Sequence, residues 1–199
     1  MNRMIIILII NFVFCITLNA QTTGTIDTAY SFTPGEGQNI GQSPEYFPEN
    51  IFGLPDSTAS ETVPVSSAEK IVSLGLGGEI IVGFKDYEIV DRPGADFTIF
   101  ENAFLNPITQ KIFAEPAKVA VSSDGVNFVE FPFDSASLEG CAGVTPTYGS
   151  ANPFDPSVSG GDSFDLEDVG MDKITHIKIT DISRMILDNP DHEYYDAVI

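Results

Sequence analysis

The sequence predicts an all-β protein, an antiparallel β-sandwich, and three observations lead to this fold class. Glycine and proline, 17 and 13 of the 199 residues, interrupt the chain at short intervals. Between them lie short runs rich in β-branched and aromatic residues, which favour strands. No long stretch repeats its apolar residues with a helical period. Short strands separated by turn signals, with almost no helix, are typical of a β-sandwich.

Residues 1–20 predict a secretory signal peptide. Arg3 precedes an apolar core from Met4 to Leu18, and Ala20 offers a small residue for cleavage. The alternative is an uncleaved membrane anchor, but this apolar run is shorter than the roughly 20 residues that span a bilayer. Cleavage leaves 179 residues (199 minus 20), the length of one domain. We therefore expect a secreted protein, found outside the cell or on its surface.

The exported part divides into two regions. Residues 21–68 are rich in Thr, Ser, Pro and Gly and predict an extended, loop-rich N-terminal segment that packs on the domain. Residues 69–199 predict the sandwich itself. Its predicted strands are 71–76, 79–84, 96–101, 117–123, 127–132, 174–180 and 193–199. No strand is clear between residues 132 and 173, so that stretch is either functional or incompletely assigned.

Alternation and turn chemistry support these strands. Val119 and Val121 share one face of the strand at 117–123, which predicts that this face is buried. Gly77-Gly78 predicts a hairpin between 71–76 and 79–84, because glycine reaches positive φ without steric cost. Ser-Asp-Gly at 123–125 predicts a second hairpin for the same reason.

The charge of the chain narrows the choice of partners. Asp and Glu number 29 and Lys and Arg 9, and cleavage removes Arg3, so the mature chain carries a net charge of −21 (8 minus 29). This charge repels phosphate backbones, which excludes nucleic acid as a partner. A divalent cation or a cationic surface is its natural complement. Only Cys141 is left after cleavage, so no intramolecular disulfide can form, and a bound metal is one alternative source of stability.

Catalytic motifs are scarce, so the sequence predicts a protein that is not an enzyme. His176 lies on a predicted strand beside Lys178, and nothing near it in sequence orients it for acid-base work. His192 is a loop residue or a metal ligand. Cys141 has no nucleophile motif around it, and the sequence has no G-x-S-x-G, phosphate-loop or H-E-x-x-H pattern. Glycoside hydrolysis by a pair of carboxylates stays an open alternative, because a chain with 29 acidic residues always contains possible pairs.

Several motifs together resemble a known family. The run VAVSSDGVNFVEFP resembles a hairpin of discoidin-like, galactose-binding-like jelly rolls. The segments NIFGLPD, VSLGLGGEIIVGF, GADFTIFENAF, GGDSFDLEDVG and YYDAVI are similar, in the same order, to motifs of a family of exported bacterial cell-surface proteins. The resemblance covers nearly all of residues 50–199. Leu54 replaces the first proline of that family's G-P-P-D loop, and Tyr194-Tyr195 replaces its Phe-Asp-Leu.

The resemblance implies a jelly-roll fold and a structural calcium ion between an early loop and an acid on the last strand. Matched to this sequence, those ligands are Asp56 and Asp196. Members of the family usually continue past this strand, which implies a C-terminal sorting or anchoring region beyond residue 199. For both acids a simpler interpretation has equal weight, and for Asp56 it is a turn residue after Pro55.

Asp96 and Glu101 form a second candidate metal group. Calcium takes six to eight oxygen ligands and suits acid-rich loops at strand ends. Residues five apart on one strand face opposite sides of a sheet, so these two could share an ion only across a bulge or turn. In GGDSFDLEDVG the acids lack the spacing of known calcium loops. There we expect Asp165 to cap a short helical turn, with Asp168 reaching back toward it.

These observations favour a secreted or cell-surface, non-catalytic binding module with structural calcium that presents loops to a glycan or protein ligand. The loop aromatics proposed to contact the ligand are Tyr46, Phe47, Tyr148 and Phe154, and their alternative role is packing. The absence of tryptophan argues against a strong sugar lectin. An extracellular carbohydrate-active hydrolase is the alternative function, and a purely structural surface-layer or adhesion part is the third.

Overall fold

A computed structural model describes residues 24–195 of the chain. In this part the protein is all-β, with antiparallel strands and only short helical segments. The strands are β1 (Thr28–Thr33), β2 (Glu79–Gly83), β3 (Ile89–Val90), β4 (Phe97–Ile99), β5 (Phe104–Leu105), β6 (Ile112–Phe113), β7 (Ala117–Ser122), β8 (Val129–Glu130), β9 (Asp162–Phe164), β10 (Lys173–Ile174) and β11 (His176–Asp181). The helices are α1 (Pro156–Ser159), α2 (Arg184–Leu187) and two 3-10 helices, Glu49–Ile51 and Leu166–Val169.

The main sheet has five strands in the order β1-β2-β11-β7-β8, all antiparallel to their neighbours. Its buried face forms the core because the β-branched residues of the three central strands alternate toward it. Val82 of β2 pairs with Ile177 of β11, which pairs in turn with Val121 of β7, and all three are buried. Val119 is also buried, as the alternation predicts.

Three two-stranded ribbons complete the fold, β10-β3, β4-β9 and β5-β6. In the β4-β9 ribbon Phe97 pairs with Phe164, and Ile99 pairs with Asp162. The two phenylalanine rings stack with centroids 5.2 Å apart, and Phe164 also meets the ring of Phe131 at 5.0 Å. These rings join the core of the main sheet and anchor one end of the ribbon there, while acidic residues lie at both ends.

Two predicted hairpins have different outcomes. The turn at 123–125 joins β7 to β8 as predicted, and Asp124 Oδ1 accepts hydrogen bonds from the backbone N–H groups of Val126 and Asn127, both at 2.8 Å. The turn at 77–78 joins no hairpin, because residues 71–76 are not a strand. Leu76 instead bridges to Glu36.

The missing hairpin has a topological cause. β2 pairs with β1 on one side and with β11 on the other, so neither edge is left for residues 71–76. Gly75 and Gly77 both have positive φ, 77° and 74°, and bend the chain toward residues 35 and 36. Gly35 there donates a backbone hydrogen bond to Leu74 at 2.8 Å.

The predicted strand at 193–199 is not seen where the structure describes it. Residues 193–195 lie in turn and helical conformations, and residues 196–199 lie outside the described part. The other predicted strands have counterparts, although 96–101 and 127–132 are shorter than expected and 174–180 is divided between β10 and β11. Residues 132–173 contain β9 and two short helical segments, so that part of the sequence assignment was incomplete.

The loop-rich N-terminal region contributes one strand, β1, at the edge of the main sheet. Beyond it, Asn50 organises the long connection to β2. Its buried side-chain amide donates hydrogen bonds to the carbonyl groups of Gly41, Ala68 and Ile71 at 2.8 to 3.0 Å. The predicted signal peptide, residues 1–20, lies outside the described part. Between residues 24 and 195 there is no helix with the length and apolar character needed to cross a membrane.

Candidate functional site

Four acidic residues mark the ends of the β4-β9 ribbon. Asp96 precedes β4 and Glu101 follows it, while Asp162 begins β9 and Asp165 follows it. Because the two strands are antiparallel, the pairing brings Asp96 to the end that carries Asp165 and Glu101 to the end that carries Asp162. The ribbon therefore has an acidic group at each end.

The first group, which we name the outer triad, consists of Asp91, Asp96 and Asp165. One carboxylate oxygen from each residue lies within 4.8 Å of the other two. The backbone holds Asp96 firmly, since its Oδ1 accepts a hydrogen bond from Arg92 N at 2.8 Å and its Oδ2 accepts one from Leu166 N at 2.9 Å. Each carboxylate oxygen has two lone pairs, so both oxygens of Asp96 keep capacity for a further ligand.

Asp165 has two roles in the outer triad. Its Oδ1 accepts a hydrogen bond from Glu167 N at 2.9 Å and caps the 3-10 helix Leu166–Val169, which confirms the capping role predicted for it. Asp91 reaches the same point from the loop after β3, where its backbone N–H donates to the carbonyl group of Asp172 at 2.9 Å. The loop between β3 and β4 thus contributes two carboxylates, and the segment after β9 contributes the third.

The electrostatics of the outer triad favour a cation. Burial raises the pKa of Asp96, and the negative charges of Asp165 and Asp91 add to this shift, against the opposing effect of its two backbone donors. Among residues 24–195, no lysine or arginine forms an ion pair with any of the three carboxylates. The repulsion within the triad is therefore not compensated by a basic side chain of this part of the chain.

The second group, which we name the inner pair, consists of Glu101 and Asp162. Glu101 Oε2 is buried and has no hydrogen-bond partner. Burial, together with the negative charges of Glu115 and Asp162, raises the pKa of Glu101 to about 8. Asp162 Oδ2 accepts a hydrogen bond from Val144 N at 3.1 Å, and burial raises the pKa of Asp162 as well.

The loop at 143–147 encloses the inner pair. Gly143 has φ of 80°, and a side chain there would collide with the carbonyl oxygen of Glu115 and contact Cγ of Glu101, so only glycine fits. Thr147 Oγ1 donates a hydrogen bond to the carbonyl group of Glu101 at 2.8 Å. The same loop provides the Val144 donor, so it fixes the backbone of one acid and the carboxylate of the other.

A cleft of about 250 Å³ opens beside the inner pair. Asp162 and Asp168 give it two carboxylates, and Phe131 and Phe164 give it an apolar floor. Cys141 also lines the cleft, but its thiol is buried, and burial raises its pKa to about 12. A thiol with such a pKa is protonated at neutral pH and is a poor nucleophile.

The predicted metal ligands are not brought together as one set. Asp96 and Glu101 lie in the two different groups, as opposite ends of β4 require. The Asp56 carboxylate forms an ion pair with Lys70 and accepts hydrogen bonds from Thr58, and these contacts lower its pKa to about 2. It therefore already has a cationic partner within the chain. Asp196 lies outside the described residues.

The four aromatic residues proposed to contact a ligand differ in their exposure. Phe47 packs against the core, with its ring 5.2 Å from the ring of Phe32, so packing accounts for it. Tyr46 is half-buried. Tyr148 and Phe154 are 38% and 46% exposed, and both lie in the loops around α1. Of the four, these two side chains have the surface that a ligand could contact.

Neither histidine has the surroundings of a catalytic base. The ring of His176 stacks on Tyr30 with centroids 4.1 Å apart and shares a 2.8 Å hydrogen bond with Thr175 Oγ1. His192 Nε2 donates a hydrogen bond to the carbonyl group of Ser135 at 2.8 Å. A base in catalysis needs an orienting acid and a reacting group within reach. The hydrogen-bond partners of these two rings are a hydroxyl group, a carbonyl group and, for His192 Nδ1, the backbone N–H of Tyr194 at 3.2 Å.

Sequence reasoning missed two members of these groups. Asp91 has no motif around it, and Asp162 lay in a segment without a predicted strand. Only the pairing of β4 with β9 brings Asp162 to Glu101, and three paired residues are too few to show in the sequence. No model of a protein family matches this chain, and no curated protein matches it. The family resemblance therefore rests on its motifs and stays a prediction.

Proposed function

We propose that this chain is a secreted or cell-surface, non-catalytic binding module, built as a galactose-binding-like jelly-roll β-sandwich and stabilised by calcium at the outer triad. The observation that carries the proposal is the convergence of Asp91 and Asp96, from the loop between β3 and β4, with Asp165, from the segment after β9, to within 4.8 Å of one another. Calcium is bound by carboxylates, carbonyl groups and water, six to eight oxygens in all. The triad supplies three carboxylates, and the backbone and water supply the rest.

Calcium at this position ties the loop after β3 to the end of β9. Asp165 lies 69 positions after Asp96 (165 minus 96), so the ion closes a long loop of chain. Its charge offsets the repulsion among the three carboxylates. The ion also fixes the start of the 3-10 helix Leu166–Val169, because Asp165 is both its cap and a proposed ligand. The calcium is therefore structural rather than catalytic in this proposal.

The binding surface we propose lies on the loops around Tyr148 and Phe154. Gly149 donates a backbone hydrogen bond to the carbonyl group of Ala59 at 2.9 Å, so this loop contacts the loop that carries the exposed Leu54. Exposed aromatic and aliphatic side chains on adjoining loops suit a glycan ring or an apolar protein surface. A glycan array tests the first of these ligand classes, and a pull-down with cell-surface proteins tests the second.

Thermal unfolding tests the calcium site. At a calcium concentration one hundred times its dissociation constant, the ion stabilises the fold by about 2.7 kcal/mol, which is about 5 to 11 °C in Tm for a chain of this size. Asp165→Asn should lose this contribution, and it is a sharp variant because asparagine caps a helix as well as aspartate does. Asp86→Asn is the matched control, since Asp86 is exposed and lies outside the triad.

Two results would contradict this part of the proposal. Melting curves in calcium and in chelator would coincide, or Asp165→Asn and Asp86→Asn would respond to calcium alike. A monovalent salt at equal ionic strength serves as the screening control, because it weakens the repulsion without occupying a site.

The alternative of a hydrolase has one specific observation in its favour, the raised pKa of Glu101 beside Asp162. A neutral carboxylic acid next to a carboxylate is the pattern of glycosidases. However, a general acid must reach the glycosidic oxygen, and Glu101 Oε2 is closed off from solvent. We expect no turnover on a panel of glycosides, and a product that disappears in Glu101→Gln would establish the hydrolase instead.

A further inference from the structure

Glu101 poses a problem that the outer triad does not share. Its Oε2 atom is buried and accepts no hydrogen bond, whereas both carboxylate oxygens of Asp96 accept one each. A buried carboxylate oxygen without a partner costs free energy, and native proteins rarely leave one so. A buried oxygen without a partner calls for a ligand that supplies the missing partner.

The surroundings of Glu101 concentrate negative charge. Asp162 lies opposite Ile99 in the β4-β9 pairing, and Glu101 is two residues beyond Ile99, so the two acids are diagonal neighbours on the same side of the ribbon. Glu115 adds a third negative charge. Among residues 24–195, no lysine or arginine pairs with any of these three acids. The missing partner of Glu101 is therefore not a basic side chain of this region.

We propose that Glu101 and Asp162 are the carboxylate ligands of a second divalent cation, of the calcium class, at the inner end of the β4-β9 ribbon. Glu101 provides the unpartnered Oε2. Asp162 holds its Oδ2 toward the loop at 143–147 through the Val144 donor, and Gly143 and Thr145 of that loop also donate to its carboxylate. The ion shares this carboxylate with them, because each oxygen has two lone pairs. Two carboxylates are too few for calcium alone, so backbone carbonyl groups and water complete the shell.

The cleft supplies the path that such an ion needs. Asp162 is among the residues that line it, together with Thr145 and Ser163, whose hydroxyl and carbonyl oxygens are ligands that calcium accepts. A metal site requires ligands of the right kind, a supporting shell and an entry path. The inner pair has the ligands, the loop at 143–147 supports them, and the cleft gives solvent access at the Asp162 side of the pair.

This second site goes beyond the proposed function and does not depend on it, because the two groups share no residue. Counting bound ions separates them. Isothermal titration of the full chain with calcium, after removal of metal by a chelator, should show two ions bound to the wild type and one to Glu101→Gln. Asp165→Asn should also bind one ion, and the double variant none. Asp86→Asn should bind two.

Each other result decides one of the two proposals. If Glu101→Gln binds as many ions as the wild type, the inner site is wrong and the orphan oxygen carries a proton instead. If Asp165→Asn binds as many ions as the wild type while Glu101→Gln binds one fewer, the outer site is wrong and the inner one stands. Asp162→Asn is the second variant for the inner site, with an expected loss of at least tenfold in affinity there. Far-UV circular dichroism confirms that each variant is folded before its ions are counted.

Discussion

The two ends of the β4-β9 ribbon carry the same chemical groups but differ in how fully hydrogen-bond donors satisfy them. At the outer end, backbone N–H groups satisfy both carboxylate oxygens of Asp96. At the inner end, Glu101 keeps one buried oxygen without a donor, and its pKa rises to about 8. The strands, their pairing and the acid content are alike, so the difference comes from the loops that cover each end. The role of an acid is set by the donors around it more than by its place on a strand.

The largest expected effect comes from removing the ring of Phe164, which anchors the β4-β9 ribbon in the core. Phe164 is buried between Phe97 and Phe131, at the end of the ribbon next to the outer triad. Phe164→Ala should lower the free energy of unfolding by about 3 to 5 kcal/mol, because it leaves a cavity in the core. Denaturant titration measures this loss. Phe154→Ala is the control, since Phe154 is 46% exposed, and it should change stability by less than about 0.5 kcal/mol.

Phe164→Ala also tests whether the two ends are independent. If the ribbon positions both acidic groups, calcium binding should weaken at both ends together. A variant that lost its stability but kept both calcium affinities unchanged would show that the loops alone position the acids.

A second prediction uses pH to separate the ends, with a chelator present so that only protons compete. The folded-state pKa of Glu101 is raised to about 8 from an ordinary value near 4.5. The folded state therefore holds a proton that the unfolded state has released, so stability falls as pH rises from about 4.5 to about 8. For one proton the slope is at most about 1.4 kcal/mol per pH unit. Glu101→Gln should remove this slope in denaturant titrations at a series of pH values.

The pH prediction has its own control in an exposed acid outside both acidic groups. Asp86→Asn should keep the wild-type slope, because it changes the net charge by the same amount without touching the inner pair. An unchanged slope in Glu101→Gln would mean that the carboxyl group of Glu101 is charged in the folded protein and that another group titrates.

The smallest effect is expected at Asp56, which has a cationic partner of its own. Lys70 and Thr58 lower its pKa to about 2, so its ion pair contributes to stability above about pH 4, and this contribution is lost as pH falls through 2. Asp56→Asn should leave the calcium-dependent shift in Tm unchanged. A calcium response that falls in this variant would show that calcium displaces Lys70 and that the ligand implied by the family resemblance is right after all.

Much of the sheet was predictable from the sequence, and the acidic groups were not. Val119 and Val121 could be assigned to a buried face because strict alternation in a β-branched run has one interpretation. The turn around Asp124 was predictable because an Asp-Gly step binds its own backbone. Residues 71–76 were misassigned, since their apolar composition fits a strand equally well whether or not a neighbouring edge is free.

The composition of the acidic groups depends on pairings between distant segments. Asp96 and Glu101 were singled out as unusual, and both do lie in acidic clusters. Their partners could not be identified, because β9 is only three residues long and nothing local predicts that it joins β4. Asp165 could be assigned as a helix cap from local chemistry. Its second role, as a member of the outer triad, depends on tertiary structure and could not be predicted. Hydrogen bonds between residues close in sequence can be predicted from the sequence, whereas contacts between residues 60 or more positions apart cannot.

The order of strands in the main sheet has a consequence for when this protein can fold. β11 lies in the centre, between β2 and β7, and Ile179 of β11 pairs with Ile80 of β2, 99 positions earlier (179 minus 80). The N-terminal strands therefore have no complete sheet to join until residues 176–181 have been synthesised. Folds dominated by such distant pairings form slowly. A late-closing sheet keeps the chain open during synthesis, which is the state that the proposed secretion would require.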